Sequence, residues 1–310
     1  MTSSPASLAV SARLALAGRD VVRVGFGAAR LTAGDGWGRP VDPERSRALV
    51  RAARDAGVDY FDTADALGPG VSETIIGETL GDADDVLVAT KVGMLRAGPR
   101  TWDVLGHPNY LRQQVYSSLL RLRRERIDLL YLHRIDPAYP LADQLGALQD
   151  LRDQGLIARL GVSEPTAAQL DEVLALEPRL AAVQSLYNLV ARDNAVIART
   201  LDERGIPFVA YWPLIGRGLS HERHARLFAA LAPIAADLDV STAELALAWI
   251  FTTLPNGLAV VGSRSTRHLA GNVAASGVRL PVDALARIDD VVARELAGVR
   301  FDPSEPREDA

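Results

Sequence analysis

The stretch Val58-Asp59-Tyr60-Phe61-Asp62 is a short run of β-forming, mainly apolar residues that ends in an acid. Similar apolar runs recur along the chain, and the segments between them have helical periodicity. The eight runs are Val22–Phe26, Val58–Phe61, Val86–Thr90, Leu129–Leu132, Leu160–Val162, Ala182–Ser185, Pro207–Ala210 and Leu258–Val261. Apolar runs separated by helices are typical of parallel strands that are buried on both faces.

The number of strands favours a closed barrel over an open sheet. A doubly wound dinucleotide-binding sheet would carry Gly-x-Gly-x-x-Gly after its first strand, and the chain has only Gly25-Phe26-Gly27 at that point. The length of 310 residues suits one barrel. We therefore predict an α/β fold, a (β/α)₈ TIM barrel, as a single domain over residues 1–310.

Additional elements are predicted at both ends of the barrel. Arg13–Leu16 and Val21–Val24 flank a turn at residues 17–20, which predicts an N-terminal β-hairpin that plugs the bottom of the barrel. Extra helices are expected at His221–Leu238, after strand seven, and at Ser265–Ala275, after strand eight.

Composition narrows the classes of partner. The net charge is −5, and acids and bases are interspersed, which argues against nucleic acid and a membrane surface. The chain has no cysteine, so disulfides, thiolate metal ligands and thiol catalysis are excluded, and no metal site is expected. The start lacks the features of a secretory signal, and no segment has the length of a membrane span. We therefore expect a cytoplasmic protein; the sequence indicates no particular oligomeric state.

The basic residues contain one exception. Of the 34 lysines and arginines, 33 are arginines and one is a lysine, Lys91. The codon bias of a GC-rich genome explains the arginines but does not explain the exception. A buried lysine can transfer a proton, whereas an arginine stays charged in a protein. Lys91 is therefore a candidate functional residue.

Three polar residues directly follow three consecutive apolar runs. Asp62 follows the second run, Lys91 the third and His133 the fourth. In barrels of this kind the chemistry lies at the carboxyl ends of the strands, where these side chains can converge. An acid stabilises a buried lysine charge, and a histidine can donate a hydrogen bond to a carbonyl oxygen or pass a proton. We predict that all three are catalytic. The alternative is a structural ion pair beside a core histidine.

At this point the sequence resembles the aldo-keto reductase family. Residues 61–64 (Phe-Asp-Thr-Ala) with residues 68–73 (Gly-Pro-Gly-Val-Ser-Glu) are similar to the signature around its catalytic aspartate. Thr90-Lys91 and Leu132-His133 resemble its lysine and histidine motifs. Residues 133–137 (His-Arg-Ile-Asp-Pro) resemble a bacterial branch that reduces small aldehydes and ketones, pyridoxal among them. The resemblance implies a nicotinamide cofactor and a small carbonyl substrate.

One member of the family's catalytic tetrad is missing. The resemblance places a tyrosine five residues after the aspartate, and this chain has Leu67 there, which has no proton to donate. Tyr60 does not replace it, because strand alternation puts its side chain one layer lower in the barrel. Leu67, Trp37 and Trp102 are expected to contact the substrate.

The resemblance also implies where NADPH or NADP⁺ would bind. The residues with expected cofactor contacts are Ala29, Asp62, Ser163, Gln184, Tyr211, Pro213, Leu214, Gly262, Ser263, Arg264, His268 and Asn272. Ser163 and Gln184 would hold the carboxamide and Tyr211 would stack on the nicotinamide. The family's usual asparagine after the serine is Glu164 here.

The loop after the last strand is expected to bind phosphate. It contains a glycine and leads into a helix, and free N–H groups at a helix start favour an anion. Arg264, Arg267 and His268 would bind the 2′-phosphate and select NADP over NAD. Asn272 matches the adenine-side asparagine, but the residue before it, often glutamate in the family, is Gly271.

Three functions remain open from the sequence. The first is an NADPH-dependent reductase of a small carbonyl compound that works without the tyrosine. The second is a non-redox enzyme on the same scaffold, such as a lyase, dehydratase or cyclase. The third is a catalytically inactive nicotinamide-binding protein. The fold by itself does not choose among them.

Overall fold

In the computed structural model, which describes residues 12–215, 219–263 and 265–299, parallel strands close into a barrel surrounded by helices. The strands are β1 (Arg13–Leu16), β2 (Arg19–Val22), β3 (Val24–Gly27), β4 (Tyr60–Asp62), β5 (Leu87–Val92), β6 (Met94–Leu95), β7 (Asp103–Val104), β8 (Ile127–Leu132), β9 (Ile157–Ser163), β10 (Ala182–Leu186), β11 (Phe208–Tyr211) and β12 (Gly257–Val261). The helices are α1 (Pro43–Asp55), α2 (Val71–Leu80), α3 (Pro108–Leu122), α4 (Leu141–Asp153), α5 (Ala167–Leu176), α6 (Ala195–Asp202), α7 (His221–Asp237), α8 (Thr242–Thr253), α9 (Thr266–Ala274) and α10 (Val282–Glu295).

The barrel consists of the eight strands that the apolar runs predict. Its order is β3-β4-β5-β8-β9-β10-β11-β12, and β12 pairs with β3 to close it. Every neighbouring pair is parallel. The predicted TIM barrel is confirmed, with bounds that differ by a few residues, because a run's apolar centre is a stronger signal than its ends.

The hairpin forms, but with a shorter turn than the sequence predicts. β1 and β2 are antiparallel, and Leu16 pairs with Arg19, so the turn is Ala17-Gly18 alone. Both turn residues have positive φ, 52° and 85°, which matches a two-residue turn to the twist of the strands. The predicted bounds of the second strand, Val21–Val24, were therefore wrong, because β2 spans Arg19–Val22.

The hairpin contributes to the floor of the barrel. Leu16 and Val21 are almost fully buried and belong to the cluster of side chains that fills the barrel interior. This placement agrees with a plug.

Two large side chains fill the interior below the mouth, and two glycines make room for them. A Cβ on Gly25 would lie 2.4 Å from Cδ1 of Tyr60, and one on Gly161 would lie 2.6 Å from Cδ1 of Tyr131. Both tyrosines are fully buried. Small residues thus face large ones across the interior, which gives a packed core rather than a pore.

The extra helices occur where they were expected. α7 and α8 lie between β11 and β12, and α9 and α10 follow β12. Ser241 begins α8 with a capping box that it forms with Glu244. No helix in the described part of the chain is long and apolar enough to cross a membrane.

Candidate active site at the carboxyl ends of the strands

The period of two along each strand decides which side chains point into the barrel mouth. Asp62 and Ser163 are the last residues of β4 and β9, and Lys91 lies near the end of β5. Gln184 of β10 is level with Ser163, and all four side chains are buried. The strand ends therefore bring together the residues that the sequence analysis singled out.

An ion pair between Lys91 and Asp62 lies at the centre of this site. Nζ of Lys91 is 2.5 Å from Oδ1 of Asp62 and donates a second hydrogen bond, of 2.9 Å, to the carbonyl oxygen of Thr63. The pair is at most 8% exposed. Burial lowers the pKa of Lys91, and the charge of Asp62 opposes that change.

The second oxygen of the Asp62 carboxylate is also bonded. Oδ2 accepts hydrogen bonds from Nε2 of Gln184 at 2.8 Å and from the hydroxyl of Tyr60 at 3.2 Å. Tyr60 thus lies beneath the ion pair, and burial and the charge of Asp62 raise the pKa of its phenol. A phenol that resists ionisation in this way is a poor proton donor.

His133 follows β8 at the same mouth. Its backbone N–H donates to the carbonyl of Val92, which ties it to the end of β5. Nδ1 of its ring is buried and has no hydrogen-bond partner within the described residues. Burial, with the charges of Arg134 and Lys91, lowers the pKa of the imidazole well below its usual range, so the ring is neutral at pH 7.

Leu67 and the two predicted substrate-side tryptophans surround one arginine, Arg96. The Arg96 guanidinium lies 3.7 Å from the ring centre of Trp102 and 5.3 Å from that of Trp37. It donates to the carbonyl oxygens of Gly36 and Ala66 and is 7% exposed. Leu67 is partly buried next to this group. The residues are far apart in sequence, so no local pattern could have identified Arg96.

Arg134 is a second arginine that the sequence analysis did not assign. Its Nη1 donates to the carbonyl oxygen of His133 at 2.6 Å and to Oγ of Ser163 at 3.1 Å. It also lies beside the phenol of Tyr211, together with Glu164. The only available signal was its position directly after His133 at a strand end.

Glu164 replaces the expected asparagine in a left-handed backbone conformation, with φ of 54°. Its Oε1 accepts a hydrogen bond from the backbone N–H of Leu186, so it links the ends of β9 and β10. Burial, followed by the charge of Glu164, raises the pKa of Tyr211. The Tyr211 ring is partly exposed at the mouth and contacts Trp212 edge-on.

The loop after β12 contains the remaining predicted cofactor residues. Gly262 is exposed, and Oγ of the buried Ser263 donates to the carbonyl of Ser265. His268 is exposed and Asn272 is buried. The predicted Arg264 and the side chain of Arg267 lie outside the described residues.

Three further predicted cofactor residues lie on two neighbouring loops. Ala29 is exposed just after β3. Pro213 is buried and Leu214 is partly buried after β11. Gly271 on α9 faces Glu244: a Cβ at Gly271 would lie 3.0 Å from Oε1 of that side chain. A glutamate at this position would therefore meet the carboxylate of Glu244.

Comparison with known proteins identifies the family. The model of the aldo/keto reductase family matches residues 23–293, which span the whole barrel. The chain belongs to the aldo/keto reductase family. A Schizosaccharomyces pombe protein described as an uncharacterized oxidoreductase is 37% identical over 271 residues, 87% of this chain and 86% of that protein. Pyridoxine 4-dehydrogenase of Escherichia coli is 29% identical over 280 residues, 88% of this chain and 96% of that enzyme.

Solved structures of this family share the fold. A glycerol dehydrogenase from Gluconobacter oxydans matches with a TM-score of 0.83 at 25% identity, over 95% of this chain and 99% of the other. An aldo/keto reductase from Klebsiella pneumoniae, solved in complex with NADP and acetate, matches with a TM-score of 0.77 at 24% identity, over 91% and 96% of the two chains. The family assignment makes this chain an aldo/keto reductase-type oxidoreductase.

Proposed function

We propose that this aldo/keto reductase family member is an NADPH-dependent reductase of small carbonyl compounds, in which Lys91 donates the proton that the family's tyrosine usually provides. Leu67 stands where the sequence resemblance places that tyrosine. The observation that supports the proposal is the buried ion pair of Lys91 with Asp62, beside a neutral His133, at one barrel mouth.

Lys91 has the properties that a proton donor at this site requires. Burial lowers its pKa towards the working pH, and a donor is most effective when its pKa is near that pH. Asp62 keeps enough positive charge on Nζ for the proton to be present before reaction. In the proposed step the carbonyl π bond breaks, the carbon gains a hydride and the oxygen takes a proton from Nζ. A proton from solvent then restores the ammonium group.

His133 orients the carbonyl group. A neutral imidazole carries one N–H, which can donate a hydrogen bond to the substrate oxygen without competing as an acid. The pKa of His133 is held low by burial and by the nearby cations, so the ring stays in this form across the neutral range.

The residues at the mouth fit a nicotinamide carboxamide. The hydroxyl of Ser163 accepts from Arg134 and still has its own proton to donate. Gln184 uses Nε2 for Asp62, and its Oε1 makes no hydrogen bond within the described residues. The pair thus offers one donor and one acceptor, which complements an amide. When bound, NADPH supplies the hydride for the reduction.

The start of α9 fits the phosphate end of NADPH. Ser265 precedes the helix without a side-chain cap, so the first-turn N–H groups have no capping acceptor from that residue. In the sequence, Arg264 stands just before α9, and Arg267 and His268 stand in its first turn; these three residues would contact the 2′-phosphate.

Cofactor binding and turnover together test the proposal. NADPH should quench the protein's tryptophan fluorescence on binding. Simple aldehydes from a panel should then oxidise the NADPH, which is measured as a loss of absorbance at 340 nm. The variant Lys91→Arg, which keeps the charge beside Asp62, should bind NADPH with nearly unchanged affinity and lose most of its turnover. Binding without turnover of any aldehyde would instead support an inactive nicotinamide-binding protein, and no binding would support a non-redox enzyme.

A further inference from the structure

Arg134 is held over the mouth by one of its three guanidinium nitrogens. Nη1 makes both hydrogen bonds, to the carbonyl oxygen of His133 and to Oγ of Ser163. These bonds fix the guanidinium between the ends of β8 and β9, facing Tyr211 of β11. The group is partly exposed and therefore accessible from the mouth.

The charge of Arg134 is not matched by a carboxylate. The other cation of the mouth, Lys91, is paired with Asp62, and the partly buried Arg121 and Arg152 are paired with Glu73 and Glu177. Arg134 forms no ion pair within the described residues, although many of the chain's arginines do. Glu164 lies near the same phenol, but its Oε1 is bonded to the backbone N–H of Leu186.

The guanidinium edge opposite Nη1 has a defined shape. The bonds to His133 and Ser163 do not use Nε or Nη2, and the further hydrogen-bond neighbour of the guanidinium is the neutral phenol of Tyr211. Together they form the side-on fork of two parallel N–H groups that binds a planar carboxylate through both oxygens. Nη1, on the other side of the guanidinium, is bonded to Ser163 and to the backbone of His133, so the fork belongs to a side chain that is anchored at the mouth where a substrate carbonyl would be oriented.

We propose that Arg134 is a specificity-determining residue that selects aldehydes or ketones carrying a carboxylate. This inference rests on the proposed carbonyl reduction and names its substrate class. The carboxylate binds the Nε–Nη2 edge of Arg134, and the carbonyl group then lies near His133 and Lys91. Arg134 takes no part in the bond changes.

Matched pairs of substrates isolate the effect of the substrate's carboxylate charge. The probes are 4-formylbenzoate and its neutral methyl ester, together with the shorter pair 4-oxobutanoate and its methyl ester. In the unmodified protein with NADPH, kcat/KM should be higher for each acid than for its ester. In Arg134→Gln the ratio of acid to ester should fall about 10- to 100-fold, the usual range for a charge-assisted hydrogen bond. The variant also loses the hydrogen bonds to His133 and Ser163, so activity on the esters falls as well, but by a smaller factor than activity on the acids.

Two variants serve as controls. Arg134→Lys keeps the charge but has no planar fork, so it should recover part of the ratio. Arg112→Gln removes a partly exposed arginine of α3 that is bonded to Asp150 of α4, and should leave the ratio unchanged. Thermal unfolding of each variant checks that it is folded.

Each outcome bears on one proposal. An equal loss of activity on acids and esters in Arg134→Gln would show that the arginine only holds the site together. A preference of the unmodified protein for the esters would also overturn the inference, even if the variant does not fold.

If no aldehyde is reduced, the proposed function fails, and calorimetry with 4-formylbenzoate and its ester then tests Arg134 alone. Carboxylate binding that Arg134→Gln abolishes supports the anion site, and no binding of either compound refutes it.

Discussion

Lys91 donates two hydrogen bonds from a buried position, one of 2.5 Å to Asp62 Oδ1 and one of 2.9 Å to the carbonyl oxygen of Thr63. The second bond fixes the ammonium group independently of the ion pair. Nζ can therefore keep its place while it loses and regains a proton. An arginine at this position would keep the charge but could not release a proton.

We therefore expect Lys91→Arg to reduce kcat by a factor of about 10²–10⁴, the usual contribution of a general acid. NADPH affinity should change only a few-fold, because the charge beside Asp62 is preserved. Single-turnover kinetics and a fluorescence titration measure the two effects separately. Unchanged turnover would reduce Lys91 to a structural partner of Asp62.

Leu67→Tyr should place a phenol beside Lys91 and His133, the residues that we propose act on the carbonyl group. Lys91 would favour the phenolate and lower the pKa of the new tyrosine towards the working pH. We expect reduction of simple aldehydes to rise about tenfold or more. Leu67→Phe is the control, because it adds the ring without the hydroxyl. If both variants abolish activity equally, the leucine belongs to an apolar pocket for a different chemistry.

The arginines after β12 should decide between the two nicotinamide cofactors. Replacing Arg264 and Arg267 with alanine together should weaken NADPH binding about tenfold or more and leave NADH nearly unaffected, because only NADPH carries a 2′-phosphate. Arg279→Ala, an exposed arginine beyond α9, is the control. Equal losses for NADPH and NADH would show that these arginines do not contact the 2′-phosphate.

The sequence predicted the parts of this site that depend on strand order and alternation. Asp62, Lys91 and His133 follow apolar runs, and the carboxyl ends of parallel strands meet at one mouth, so their convergence could be predicted. Contacts between loops that are distant in sequence could not be predicted. In a chain with 33 arginines, the only local signal at Arg134 is its position directly after His133, because its lack of an ion pair within the described residues appears only in three dimensions. The hairpin turn was misplaced because a positive φ at Ala17 is unusual for alanine.

Asp65 makes stability depend on pH. Its carboxylate is 5% exposed, and neither oxygen has a hydrogen-bond partner within the described residues. Burial, and then the charge of Glu73, raises the pKa of Asp65 well above its usual range. In the unfolded chain it ionises near its usual pKa of about 3.9, so its contribution to stability is complete below that pH and is lost as pH rises towards the folded pKa.

We therefore expect the melting temperature of Asp65→Asn, relative to the unmodified protein, to rise with pH between pH 4 and 8. Asn cannot ionise, so the variant should be the more stable protein at the upper end of that range. Asp171→Asn, on the exposed face of α5, is the control and should show no such trend. If the difference in melting temperature between Asp65→Asn and the unmodified protein stays constant across this pH range, the raised pKa of Asp65 is contradicted.

The packing of Gly25 against Tyr60 should appear as a coupling between the two positions. Ala at Gly25 would bring its Cβ within 2.4 Å of Cδ1 and 2.9 Å of Cε1 of the ring, so Gly25→Ala should lower the free energy of unfolding by about 1–3 kcal/mol. Gly146→Ala is the control: it lies inside α4 with nothing within 4 Å of its Cβ position, and it should be neutral or stabilising. In a Tyr60→Leu background the ring is gone, and Gly25→Ala should cost less, with a coupling of about 0.5–3 kcal/mol in urea unfolding. Strictly additive effects would mean that the glycine is required for another reason.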